Sequence, residues 1–456
     1  MAGKQDSAAD AGGASGSSGG DWTASGSGSG WVGSSASSSG SGRSSSTGGG
    51  AYAGSSSTGG GVDAPFGGGS SGVRCGPGSA SRVNSGTEVI ALTAGREHAC
   101  VLLAGGSVVC WGANSYGQLG DGATCDSSTP VPVQGLGSAI SVSAGEDHTC
   151  AVLEDHTVRC WGDNLLGQLG NGTTATSSPQ PQPPVTVLNL DGVVSVAAGN
   201  QRTCALLVDG TVQCWGRDTT PWVGSSSSSG GQAPSSTPVS VPGLSKVAAL
   251  SAGYDFMCAL LVDGTAQCWG SETNGRLGDG ASSGFPPGPV TVSGLDKAIA
   301  LAAGNDGACA LRSDGTVRCW GNGFYGQLGN GLELPAGGSS GGAGPSASPP
   351  VPVANIDDAT GVAAGGEHAC ALRSGGTGQC WGWNSSGQLG DGTTTPSSLP
   401  VTVHGLQGAA RIACGHEFAC AAQAGGIVQC WGNNVRGQLG DGTFTDSPLP
   451  VTVHWQ

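Results

Sequence analysis

Short apolar runs broken by glycine-containing turns recur along the chain, and none is long enough for a helix of three turns. In the copy running from Cys204 to Cys214, the runs Ala205-Leu206-Leu207 and Thr211-Val212 flank Asp209-Gly210. Two β-prone runs around such a turn predict a β-hairpin. With Val208, Asp209 and Gly210 as a three-residue loop and Gly210 in the left-handed conformation, Leu207 closes on Thr211. Counting outward, Cys204 then lies opposite Cys214 at a non-hydrogen-bonded pair, with Cα atoms about 4.5 Å apart.

The same hairpin is predicted seven times, near residues 95–112, 145–162, 199–216, 253–270, 304–321, 365–382 and 415–432. Each unit opens on Ala-Gly or its variant, and the period of roughly 50 residues implies a propeller, solenoid or array. A further short strand follows each hairpin: Val131–Val133, Val185–Val187, Val239–Val241, Val290–Val292, Val351–Val353, Val401–Val403 and Val451–Val453. Pro132 and Pro352 suit an outer edge there, where a missing N–H leaves no ladder bond unmade. One opening strand, two hairpin strands and one edge strand per repeat give an all-β fold, a seven-bladed β-propeller of four-stranded antiparallel blades over residues 83–456.

Composition sets the environment. Residues 1–72 are almost wholly Gly, Ser, Ala and Thr, too poor in apolar surface to fold, and are expected to be a disordered tether. The chain has 17 Cys and a formal net charge of -15. The hairpin register pairs Cys100 with Cys110, Cys150 with Cys160, Cys204 with Cys214, Cys258 with Cys268, Cys309 with Cys319, Cys370 with Cys380 and Cys420 with Cys430. These pairs are expected to be disulfides, with reduced, interface-filling cysteines as the alternative. Cys75 and Cys125 are candidates for an eighth bridge, and Cys414, standing where other repeats have Ala94, Ala144 and Ala198, for a free thiol. Bridges on this scale belong to an oxidising compartment. The expected location is therefore extracytoplasmic, secreted or at the cell surface, although no export signal is visible after Met1. No apolar run is long enough to span a membrane, so attachment would run through an N-terminal surface anchor. With 16 Lys plus Arg in 456 residues there is no basic patch for nucleic acid.

The string from Gly145 to Cys150, the segment Val158–Gly162, Asn164 and Gly167–Gly170 resemble the repeat of the regulator of chromosome condensation family. The resemblance covers residues 85–456 in seven copies and implies a seven-bladed propeller. Cysteine occupies hairpin positions where eukaryotic members usually carry other small or apolar residues. The chain is in that respect more similar to secreted bacterial members, among them inhibitors that bind β-lactamases with one propeller face. Guanine-nucleotide exchange is what family analogy alone implies, but no residues here match an exchange loop, and fold does not fix function.

Three residue slots are candidates for chemistry. Two residues after the repeat glycine stand Glu97, Asp147, Gln201, Asp255, Asp306, Glu367 and Glu417, six acids in seven copies. Equivalent positions share one face of a propeller, so these carboxylates form either a field that steers a basic partner or a set of harmless loop charges. After Trp-Gly come Tyr116, Phe324, Tyr325 and Trp383, either interface anchors on rigid loops or packing over blade edges. His98, His148 and His368 share a slot that other copies fill with Arg202, Phe256, Gly307 and Phe418. That excludes a histidine ring and favours satisfied core histidines. No nucleophile elbow, phosphate loop or metal-ligand spacing is present, so catalytic, cofactor and metal residues are none. The expected function is a monomeric, non-catalytic, protein-binding module, with an exchange factor and a central-channel hydrolase or lyase as the other two classes.

Overall fold

Turn chemistry closes each hairpin as the register requires. Leu207 N–H donates to Thr211 O at 3.0 Å, Gly210 N–H to Leu207 O at 2.9 Å, and Gly210 takes φ +79°. Asp209 Oδ1 accepts from both the backbone and the hydroxyl of Thr211, at 2.9 and 2.6 Å. Cys204 faces Cys214 across the ladder, and the same pairing recurs in the other six hairpins.

The computed structural model describes residues 88–175, 183–217, 234–282, 284, 286–332 and 346–455. The tether expected at 1–72 and most of the third repeat's connector lie outside these residues. The described residues form 28 strands, β1–β28 in chain order, in seven four-stranded sheets. In the first, β1 (Val89–Ala94), β2 (His98–Leu103), β3 (Val108–Gly112) and β4 (Ser127–Pro132) lie side by side in that order. Pro130 and Pro132 therefore sit on an outer edge strand, as their missing N–H demands. Edge strands are shortest in the second and fourth blades, Val185–Thr186 and Val290–Thr291.

Every blade is contiguous in sequence. The C-terminal strand β28 (Ser447–Thr452) completes the seventh sheet beside β27 (Val428–Gly432), so the ring closes without exchanging a strand with the first blade. At that seam Arg411 Nε donates to Val89 O at 3.2 Å, and Trp455 packs edge-on against Trp111 with centroids 6.3 Å apart.

The core lies between blades. Trp111, Trp161, Trp215, Trp269, Trp320, Trp381 and Trp431 are all buried, filling the sheet-to-sheet spaces. Six of these indoles also reach across the interface. Trp161 Nε1 donates to Gln118 O at 2.9 Å and Trp111 to Gln438 O at 2.9 Å, so six connectors are each tied to the next blade. The last glycine of Gly-Gln-Leu-Gly follows from this, since a Cβ on Gly120 would stand 2.8 Å from the Trp161 Nε1.

Within the connector, Asn114 Oδ1 accepts from Leu119 N–H at 3.0 Å and Gln118 Oε1 from Tyr116 N–H at 2.9 Å. The polar residues of the motif thus satisfy the turn's own backbone.

All seven expected disulfides are formed. Cys100 is bonded to Cys110, Cys150 to Cys160, Cys204 to Cys214 and Cys258 to Cys268. Cys309 is bonded to Cys319, Cys370 to Cys380 and Cys420 to Cys430. Their Cα atoms are 4.0 to 4.1 Å apart, which corrects the expected strand-pair spacing of about 4.5 Å downwards. The reduced, interface-filling alternative does not hold for Cys110, Cys160, Cys214, Cys268, Cys319, Cys380 and Cys430 or for their partners, although Cys160, Cys268, Cys319 and Cys430 are as deeply buried as that reading required. Cys125 is also disulfide-bonded, while its expected partner Cys75 lies outside the described residues. Cys414 is free and buried. No helix among the described residues is long and apolar enough to cross a membrane.

Candidate functional site

The central channel is built from backbone before any side chain enters it. A Cβ on the repeat glycine Gly145 would stand 2.6 Å from Gly199 O, and one on Gly199 would stand 2.7 Å from Gly253 O. Without side chains the blades approach closely enough for the next residue's N–H to reach its neighbour. Glu146 N–H donates to Gly199 O at 3.2 Å, Tyr254 to Gly304 O at 3.2 Å and Asn305 to Gly365 O at 3.1 Å. His416 N–H closes the circle on Arg96 O at 3.1 Å.

The side chains of that next residue, Arg96, Glu146, Asn200, Tyr254, Asn305 and His416, line a cavity of ≈ 310 Å³ on the axis. Arg96 Nη1 donates to Glu146 Oε1 at 2.5 Å. The sequence hides this slot because its residues share no chemistry. Its one signal is position, directly after a glycine that must face the axis.

The six acids one residue further on are all partly buried beside the Trp-Gly turn of their own blade. Their main-chain carbonyls hold that turn, as where Ala113 N–H donates to Glu97 O at 2.8 Å and Trp383 N–H to Glu367 O at 2.8 Å. Five of the side chains, those of Glu97, Asp147, Asp255, Asp306 and Glu417, meet groups of the segment after Trp-Gly in the preceding blade. Arg276 Nη2 lies 2.7 Å from Asp306 Oδ1, Arg217 Nη1 3.4 Å from Asp255 Oδ1 and Arg436 Nε 3.5 Å from Glu97 Oε2. These arginines are site residues that the repeat pattern does not disclose. Gln118 Nε2 reaches Asp147 Oδ1 at 3.4 Å, and Asn433 Nδ2 donates to Glu417 Oε2 at 2.9 Å.

The ring of acids is therefore uneven. Arginine neutralises Glu97, Asp255 and Asp306, while Asp147, Glu367 and Glu417 have no arginine or lysine paired to them among the described residues. Burial first, then Glu146, pushes the Asp147 carboxyl up to about 7. Burial first, then Asp306 and Glu417, pushes Glu367 up to about 7.

The aromatic slot lies against the same acids. Burial, then Asp147, raises the Tyr116 hydroxyl, and burial, then Glu367, raises that of Tyr325. Tyr325 and Trp383 are half-buried neighbours with centroids 4.6 Å apart, and Phe324, only 9 % exposed, meets Tyr325 edge-on at 4.8 Å. Phe324 thus packs beneath the surface rather than presenting a ring. Leu165 and Val435, in the same turn of other blades, are about half exposed.

The histidine slot is internal. His98 Nε2 meets Thr149 Oγ1 at 2.9 Å and His148 Nε2 meets Thr203 Oγ1 at 2.8 Å, while burial lowers these imidazoles to about 3 and about 4. His368, lowered to about 3 by burial, has no hydrogen-bond partner on either nitrogen among the described residues.

Seven contiguous four-stranded blades, stapled by tryptophan to Gly-Gln-Leu-Gly connectors around a glycine-lined axis, define a repeat propeller that presents short loops on one face. Residues 138–456 match the RCC1-like domain, and residues 105–152 and 89–118 match the regulator of chromosome condensation (RCC1) repeat. The chain belongs to this family.

It is 30% identical over 311 residues to the ultraviolet-B receptor UVR8 of Arabidopsis thaliana, covering 67% of each chain. It is 32% identical over 221 residues to the secretion-regulating guanine nucleotide exchange factor of Bos taurus, covering 44% of this chain and 46% of that protein. The chain thus spans under half the length of the bovine relative. Among solved structures, yeast RCC1 (Prp20) bound to Kap60 superposes with a TM-score of 0.66 at 22% identity, over 84% of this chain and 89% of that one.

Proposed function

We propose that this protein is a secreted or surface-tethered, non-catalytic binding module that receives a basic protein partner on the loop face carrying the acids and aromatic rings. The observation that carries the reading is the Tyr325–Trp383 pair beside Glu367, a carboxyl with no arginine or lysine paired to it among the described residues, on loops held by a disulfide-bonded scaffold. Large rings on rigid loops are typical of residues that dominate binding energy, and carboxylates left without counter-charge favour a cationic surface. The disulfides support an oxidising compartment. A rigid ring needs no ordering on binding, which fits a monomer acting as a preformed surface.

The test is association kinetics at two ionic strengths with a partner captured by the propeller lacking residues 1–72. At about pH 8, where Asp147 and Glu367 are mostly ionised, neutralising Asp147, Glu367 and Glu417 together is expected to slow association several-fold and flatten its salt dependence. Trp383→Ala or Tyr325→Ala is expected to speed dissociation by an order of magnitude or more. Both variant sets binding as the parent does would place the interface elsewhere. The match to the bovine exchange factor favours one second reading, nucleotide exchange on a small GTPase. Accelerated release of labelled GDP by the propeller would establish that reading instead.

A further inference from the structure

The sixth and seventh blades meet at a constellation that no other seam repeats among the described residues. His368 and Cys370 lie on the strand His368–Arg373, and Cys414 ends the strand Ala409–Cys414 of the next blade. A ring nitrogen of His368, Cys370 Sγ and Cys414 Sγ all lie within 4.8 Å of one another.

His368 is 2 % exposed and both its nitrogens lack a hydrogen-bond partner. Its counterparts His98 and His148 each meet a threonine hydroxyl from the following blade, whereas the residue in that place here is Ala419. An imidazole buried without a hydrogen bond carries a desolvation cost that a ligand would offset. The sulfur it faces is equally particular to this seam. Cys414 occupies the position held by Ala94, Ala144, Ala198, Ala252, Ala303 and Ala364 in the other blades. It also lines the axial cavity, which gives an ion a route to the site.

In the oxidised protein Cys370 is bonded to Cys380 and only two ligands are free. We propose that when a dithiol reductant opens the Cys370–Cys380 bridge, His368, Cys370 and Cys414 bind a thiophilic divalent cation of the zinc class.

The chemistry balances. Reduction delivers two electrons and two protons from the dithiol, leaving Cys370 and Cys380 as thiols and the reductant as its disulfide. Binding then releases the protons of Cys370 and Cys414 as both become thiolates. Burial raises the Cys414 thiol, so it stays protonated until an ion is present. One imidazole and two thiolates form a donor set that zinc prefers over harder cations. Zn–S bonds of about 2.3 Å and Zn–N of about 2.0 Å place ligand atoms ~3.5–3.8 Å apart, inside the 4.8 Å within which the three atoms lie here.

Cys380→Ala creates the free Cys370 thiol without reductant and leaves the other six hairpin bridges intact. Purified anaerobically and probed with Co²⁺, this variant is expected to bind a single equivalent, with thiolate-to-cobalt absorption in the near ultraviolet that Zn²⁺ abolishes. Two double variants add to Cys380→Ala a residue that other blades already use at the second place: Cys414→Ala in one and His368→Phe in the other. Each is expected to lose the band. A folded Cys380→Ala protein without the band, or a band that survives Cys414→Ala, overturns the site.

Should Cys380→Ala fail to fold, wild type and Cys414→Ala are compared after reduction with excess dithiothreitol. A difference of one equivalent of Co²⁺ supports the site, and equal uptake overturns it.

Discussion

Glu367 shows how one side chain on the proposed partner face bears on stability. Desolvation, with repulsion from Asp306 and Glu417, raises its carboxyl from an ordinary 4.5 to about 7 in the folded protein. A carboxyl whose folded pKa lies above its unfolded one binds protons more tightly when folded. Its favourable contribution is complete below the unfolded value and is lost as pH rises towards 7. Stability should therefore fall between about pH 4.5 and 7.5, by about 1–2 kcal/mol from this residue once residual solvent screening is allowed for. Glu367→Gln is expected to flatten that part of the profile and to stabilise the protein at about pH 8. Urea titrations across the range decide it, and an unchanged slope would mean that the carboxyl is already solvated.

At the scale of elements, the exposed flank of each blade is its outer strand, and for β28 that strand is also the C-terminus. Removing residues 449–456 strips most of its ladder, takes Trp455 from Trp111 and deprives Val428 O of its bond from Val453 N–H at 2.9 Å. The truncated seventh blade is expected to lower the thermal midpoint of the whole ring in one cooperative transition, by several degrees or more. An unaltered midpoint would show that the edge strand contributes nothing.

The hairpins are legible in the sequence because turn type fixes register. Asp209-Gly210 dictates a three-residue loop, and counting residues then dictates Cys204 opposite Cys214. The same count carries over to Cys150 and Cys160, whose turn holds His156 with φ +62° where other copies have glycine, and the pairing survives the exchange. Edge strands are legible only in part. The Val-x-Val segments stand out, but not the earlier start at Ser127 or Ser397, where pairing resumes across a bulge beside Gly112 and Gly382. No alternation marks those serines, since an edge strand need not bury either face.

For the molecule as a whole, closure rests on seven glycines at the axis. Gly145→Ala would drive a methyl to 2.6 Å from Gly199 O and disturb the bond from Glu146 N–H. A loss of about 1–3 kcal/mol is expected, as for other overpacked sites. Gly375→Ala, with nothing within 4 Å of the added carbon, should stay within about 0.5 kcal/mol of the parent. Equal denaturant midpoints for the two variants would show that the axis has slack.

Seven-fold repetition makes this architecture readable, and identical slots place the acids on one face. Repetition cannot reveal which acids keep their charge. Arg217, Arg276 and Arg436 occur in single blades, so their pairing with Asp255, Asp306 and Glu97 appears only once neighbours are brought together.

Because the axial seal is made by amides and carbonyls, it asks nothing of the side chain at six of the seven places that follow the repeat glycines. Arginine, glutamate, asparagine, tyrosine, glycine and histidine all occupy that place around one circle. The mouth of the channel is thus a palette of six positions open to rewriting by a single codon without loosening the ring that presents them, the seventh, Gly366, being held bare by a backbone carbonyl that an added Cβ would meet at 2.5 Å.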